Sequence, residues 1–99
     1  MAAYPLRSVF RKVPRSQTDV PVQVLISVSK KRFKHAVDRN RVKRQLREAY
    51  RHHKQSLCET VPTDESLLVA FVWIADELLP STRINNSMQR LLQRIAEKI

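Results

Sequence analysis

Residues 36–57 read AVDRNRVKRQLREAYRHHKQSL, and their periodicity decides the fold. At about 100° per residue, Val42, Leu46, Ala49, Tyr50, His53 and Leu57 fall in one stripe. Asn40, Arg44, Arg47, Arg51 and Lys54 fall in another, on nearly the opposite side. The pattern predicts an amphipathic helix with a core face and a cationic face. Arg41 and Lys43 flank the cationic stripe.

Strand signals lie on both sides of this helix. Upstream, residues 22–29 (VQVLISVS) are rich in β-branched side chains and read as a strand. Residues 4–13 (YPLRSVFRKV) alternate, with Leu6, Ser8 and Phe10 on one face and Arg7, Val9 and Arg11 on the other. Pro14 and the run Arg15–Asp19 form a turn, so the second strand is expected antiparallel to the first. Downstream, residues 58–66 (CETVPTDES) read as a loop broken by Pro62. Residues 67–74 (LLVAFVWI) are an unbroken apolar run of strand length, expected at the sheet centre and covered on both faces. A last helix follows Pro80, with Ser81 or Thr82 expected as N-cap. Its core stripe is Ile84, Met88, Leu91, Leu92, Ile95 and Ile99. The order β-β-α-β-α makes residues 1–99 a single α/β (α+β) domain, a two-layer sandwich with a β-α-β crossover.

Charge is concentrated on the same segment. Lys30, Lys31, Arg32, Lys34, Arg39, Arg41, Lys43, Arg44, Arg47, Arg51 and Lys54 face only Asp38 and Glu48, which accounts for +9 of the net +10. The other residues carry 8 basic and 7 acidic groups and are close to neutral. Cations at i, i+4 repel one another. A helix face built for solubility would interleave acids, yet Glu48 is the only one between Arg39 and Gln55. Phosphates relieve that repulsion with release of counterions, so nucleic acid is the expected partner. Arginine, whose fork can grip phosphate through two bonds, outnumbers lysine from Arg39 onward. Asn40 offers both donors and an acceptor, which suits a base edge or a sugar hydroxyl; equally, it could brace the first helical turn.

Other chemistries find little footing. The chain has no glycine, so neither a Walker-type loop nor a dinucleotide-binding turn can be built. No apolar run approaches membrane-spanning length, and the first residues lack a secretory pattern. The single cysteine, Cys58, can form no internal disulfide, which fits a reducing cytoplasm. Asp76 and Glu77 diverge if on a strand, His52 and His53 diverge by about 100° on a helix, and neither pair has ligand spacing. No catalytic or metal-binding set is expected in the polypeptide. Phe71 and Trp73 are expected in the core.

The run Val28-Ser29-Lys30-Lys31, followed by Ala36-Val37-Asp38-Arg39-Asn40-Arg41-Val42-Lys43-Arg44-Gln45-Leu46-Arg47-Glu48-Ala49-Tyr50-Arg51, closely resembles the protein component of bacterial ribonuclease P. The Arg-Asn-Arg core joined to a V-S-K-K strand end and a K-R-x-x-R-E-A-[FY] continuation is specific, and a looser likeness extends over nearly all of the chain. The resemblance implies an α/β sandwich with an unusual left-handed crossover, where chain geometry alone favours the right-handed form. It implies binding to the catalytic RNA of ribonuclease P and to the 5′ leader of precursor tRNA. The phosphodiester hydrolysis would then belong to the RNA and its magnesium, with no cofactor bound by the protein alone. By matching position it implies RNA contacts from Lys30, Lys31, Arg39, Asn40, Arg41, Lys43, Arg44 and Arg47. The helical face adds Arg51 and Lys54. Phe10 is a candidate aromatic for the leader cleft, against ordinary core packing. Two departures stand out: the connector Arg32–Asp38 has no glycine, and the family's N-terminal helix has no counterpart before the first strand.

Two other readings remain open at this level. One is a ribosomal or other structured-RNA-binding protein without a processing role. The other is a cationic amphipathic domain for membrane surfaces, which is weaker because the apolar stripe is needed for the core. The oligomeric state is not legible in the sequence.

Overall fold

The computed structural model describes residues 1–15 and 20–99. Its elements are β1 (Ala2–Ala3), β2 (Leu6–Pro14), β3 (Val22–Ser27), α1 (Ala36–Thr60), β4 (Glu65–Trp73) and α2 (Ser81–Lys98). They form two layers, a four-stranded sheet in the order β1-β2-β4-β3 and a helical layer in which α1 packs on α2. Among the described residues the first element is β1, at Ala2. The turn expected over Arg15–Asp19 falls largely outside the described residues, at 16–19.

β4 holds the centre because it is the most apolar strand. It pairs antiparallel with β2, Leu6 opposite Trp73 and Phe10 opposite Val69, and parallel with β3, Val22 opposite Leu67 and Ile26 opposite Phe71. β2 and β3 therefore run in opposite directions, as expected, but they are not neighbours. The hairpin suggested by their closeness in sequence is replaced by insertion of β4 between them. An unbroken apolar strand loses more by standing at an edge than either alternating strand does. β3, α1 and β4 form the expected crossover between adjacent parallel strands.

The core lies between the layers. Leu67, Val69, Phe71 and Trp73 of β4, with Leu6 of β2, meet Val42, Leu46, Ala49 and Leu57 of α1 and Ile84, Met88, Leu91, Leu92 and Ile95 of α2. All are between 0 and 2% exposed; of the two expected helical stripes only Tyr50, His53 and Ile99 are half-buried. The other face of β4 departs from expectation. Leu68 is exposed and Ala70 and Val72 are half-buried, because both helices lie on one side of the sheet.

Element ends move for local reasons. α1 runs on through Cys58–Thr60, shortening the expected loop, and stops at Val61 where Pro62 disfavours a helical predecessor. The N-cap of α2 is Pro80, not Ser81 or Thr82. Its carbonyl accepts from the amides of Arg83 and Ile84, while Ser81 Oγ accepts from Gln45 Nε2 at 3.1 Å and so ties α1 to the start of α2. No described residue has a positive φ, which is how a chain without glycine closes its turns.

Candidate nucleic-acid interface

α1 presents its cations on the side away from the core. Asn40, Arg41, Arg44, Arg47, Arg51 and Lys54 are exposed, and Arg39 and Lys43 are half-buried. Val37, Asn40, Arg41, Lys43, Arg44 and Arg47 line one open groove. Arg51 is partly neutralised by Glu48, Nη2 to Oε2 at 2.8 Å. Among the described residues Arg44, Arg47 and Lys54 have no carboxylate within ion-pair distance. The repulsion among them is thus left for an external anion to relieve.

Asn40 does not cap the helix. The N-cap is His35, five residues earlier and without a side-chain cap, and the Asn40 side chain stands in the groove among arginines. Arg39 points elsewhere. Its Nη1 donates to the carbonyls of Phe33 at 2.8 Å and Lys34 at 3.0 Å, clamping the connector onto the first helical turn. That clamp leaves Arg39 with donors still available to an anion.

Lys30 and Lys31 sit at an exposed turn just past β3. Ser29 shapes this turn: its Oγ accepts from the Lys31 amide at 3.1 Å and its carbonyl from the Arg32 amide at 3.1 Å. Arg32 then reaches Asp76, beyond the end of β4, with Nη1 to Oδ1 at 2.7 Å. The two lysines are so placed at the end of the parallel strand pair that leads into α1.

The uncovered face of the sheet is a second surface. Val9 (58% exposed), Leu25 (66%) and Leu68 (36%) form an apolar centre around Ala70, with Arg11 and Gln23 at its sides. Exposed Arg7 lies on the same face, opposite Val72. Phe10 borders this groove but its side chain turns to the other side of the sheet. By register it shares the helix side with Val69, and it packs half-buried against the core. The signal for the open face was present in the sequence: Val9 and Leu25 are apolar residues at positions where an amphipathic strand would put polar ones.

Tyr50 lies behind the cationic stripe, half-buried, with β3 residues Val24–Ile26 and Arg47 around it. Burial pushes its phenol pKa well above the ordinary tyrosine value, and the nearby Cys58 thiol adds to the rise. His53 is half-buried in a groove between α1 and α2 with Gln89 and Gln93, while His52 is exposed. Asp76 and Glu77 are exposed, and Asp76 is engaged by Arg32. Among the described residues no three His, Cys, Asp or Glu side chains gather as a metal site, and no helix is long and apolar enough to cross a membrane.

The molecule is a two-layer α/β scaffold whose α1 presents an exposed cationic face. The chain belongs to the ribonuclease P protein family, whose model, described as Ribonuclease P, matches residues 4–96. It is 40% identical over 97 residues to a ribonuclease P protein component of Porphyromonas gingivalis, covering 97% of this chain and 70% of that one. A protein of the same name from Chlorobaculum tepidum is 36% identical over 83 residues, 77% of this chain and 54% of the relative. One from Chlorobium phaeobacteroides is 67% identical over 36 residues, 36% of this chain and 25% of the relative. No solved structure matches.

Proposed function

We propose that this chain is the protein subunit of a cytoplasmic ribonuclease P. It binds the catalytic RNA through α1 and the Lys30–Lys31 turn, binds the 5′ leader of precursor tRNA on the open sheet face, and so assists endonucleolytic maturation of tRNA 5′ ends. The observation that carries this reading is the run of Arg44, Arg47 and Lys54 along an exposed helix face without carboxylate partners. Such a face gains most from a folded RNA, where phosphates are dense and counterions are released together. Asn40, in the same groove, supplies the acceptor that the arginines lack.

The open sheet face suits an unpaired strand. Its apolar centre of Val9, Leu25 and Leu68 accepts base faces, and Arg7 and Arg11 stand where a backbone would pass. Phe10 borders the same groove with its side chain on the helix side, half-buried against the core. The hydrolysis is the RNA's, with magnesium bound there. The protein neutralises charge between two polyanions and holds the substrate in place, which counts most when magnesium is scarce.

Reconstitution with a ribonuclease P catalytic RNA tests the reading. At low magnesium the chain should accelerate cleavage of precursor tRNA, and it should cut nothing without the RNA. Unchanged cleavage, together with recovery of ribosomal RNA alone from cell extract, would replace this function with that of another structured-RNA-binding protein.

A further inference from the structure

α2 carries a second set of cations that the function above leaves unused. Arg83, Arg90 and Arg94 stand at i, i+7 and i+11, within about 40° of one another around the helix, and Lys98 continues the same side. All four are exposed. Glu97 is the only acid on α2, and among the described residues no carboxylate lies within ion-pair distance of the four.

Three contacts fasten this ridge to the start of the chain. Ser87 Oγ donates to the Tyr4 carbonyl at 2.7 Å, and Arg94 Nη1 donates to the Ala2 carbonyl at 2.8 Å. The guanidinium carbon of Arg83 lies 5.3 Å from the centre of the Tyr4 ring, and Tyr4 is 49% exposed. These contacts hold Arg83 and Arg94 in place, so less side-chain freedom is lost when an anion binds. Each guanidinium keeps further donors, since an arginine has five N–H groups.

The ridge lies far from the α1 stripe. α2 packs beside β1 and β2 and α1 beside β3, and β1 and β3 are opposite edges of the sheet, about 14 Å apart at ordinary strand spacing. A membrane is a poor occupant, because every large apolar side chain of the α2 core stripe from Ile84 to Ile95 is at most 1% exposed. Arginines spaced over about 16 Å of helix, ending in an exposed aromatic ring under a guanidinium, instead fit a nucleic-acid strand: phosphates on the forks, a base on the ring.

We propose that Arg83, Arg90, Arg94 and Tyr4 form a second RNA-binding surface, which takes a single-stranded segment of RNA while α1 is occupied. The proposal rests on the RNA-binding reading of α1, and the test separates the two. The full chain is compared with Arg44→Gln/Arg47→Gln, with Arg83→Gln/Arg90→Gln, and with Arg90→Gln alone, an exposed residue without an ion pair among the described residues. The probe is a short mixed-sequence RNA containing 4-thiouridine. Wild type should crosslink at both α1 and the Tyr4–α2 ridge, and the α1 variant should keep the ridge crosslinks. The α2 pair should lose them, with affinity reduced about 3- to 10-fold and the salt slope reduced by about 1.4, while melting as wild type. Arg90→Gln should give about half that change in slope. An unchanged slope and no ridge crosslinks in wild type would overturn the second surface while leaving α1 intact. Loss of binding in no variant would overturn the α1 reading as well. Competition by polyglutamate as effective as by RNA of equal charge would make the ridge an acidic-protein site instead.

Discussion

Tyr50 of α1 lies against Phe71 of β4 with ring centroids 6.2 Å apart and planes inclined by 50°. The pair joins the back of the cationic helix to the central strand, so the orientation of the arginines depends on core packing. Burial holds the Tyr50 phenol neutral well past the pH at which an unfolded tyrosine ionises, about 10. Its folded-state pKa is raised, so its contribution to stability is complete below pH 10 and is lost as pH rises beyond it. Denaturant titrations between pH 9 and 11 should show stability falling more steeply for wild type than for Tyr50→Phe. Parallel curves would show that the phenol is not shielded.

Leu46 is 0% exposed at the middle of α1. Truncation of Leu46 to Ala should cost about 2–5 kcal/mol, through lost burial and the cavity left behind. In so small a domain that is a large part of the total, and a chevron or equilibrium melt would read it.

On the opposite side of the same helix, Arg44→Ala/Arg47→Ala should leave stability within about 0.5 kcal/mol. The logarithmic salt slope of RNA binding should fall by about 1.8 if both residues meet duplex phosphates. Affinity should drop across RNA sequences alike, because phosphate contacts carry no sequence information.

Much of this division was legible. The stripe of Val42, Leu46, Ala49 and Leu57 and its cationic counterpart follow from spacing alone, and both are where the periodicity puts them. The place of β4 between β2 and β3 was not legible in the same way, since local turn signals favour neighbours in sequence and only the competition for the buried position inserts a later strand. Period-2 alternation put Phe10 with Leu6 and Ser8, but which face the helices would cover was not contained in β2 itself. The role of Arg39 was hidden for a similar reason: its partners are backbone carbonyls, which every sequence has.

Arg39 should therefore behave unlike Arg44. Arg39→Ala should lower stability by about 1–2 kcal/mol, because a charged donor to two carbonyls is lost, and should also weaken RNA binding. Arg39→Lys should recover only part of either, since a point charge cannot reproduce the planar fork. Thermal melts paired with binding titrations would separate this residue from the purely external cations.

Leu25 offers the converse case. At 66% exposed it packs little, so Leu25→Asp should melt within about 0.5 kcal/mol of wild type. Binding of a precursor tRNA with a leader should weaken, while a leaderless tRNA should bind as before. Equal weakening of both would argue that the open face meets something other than the leader.

The middle strand of the sheet is synthesised after both of its neighbours and after α1. When β2, β3 and α1 have left the ribosome, β3 has no strand to pair with and β2 has only the two-residue β1, because the long edges of both bond to β4. The nascent chain must carry its positive helix beside two unsatisfied strands until residues 65–73 emerge. Closure of the sheet then depends on contacts distant in sequence, a topology that folds slowly for its size. A chain stalled before Glu65 should accordingly be sensitive to protease, and one released after Ile99 resistant.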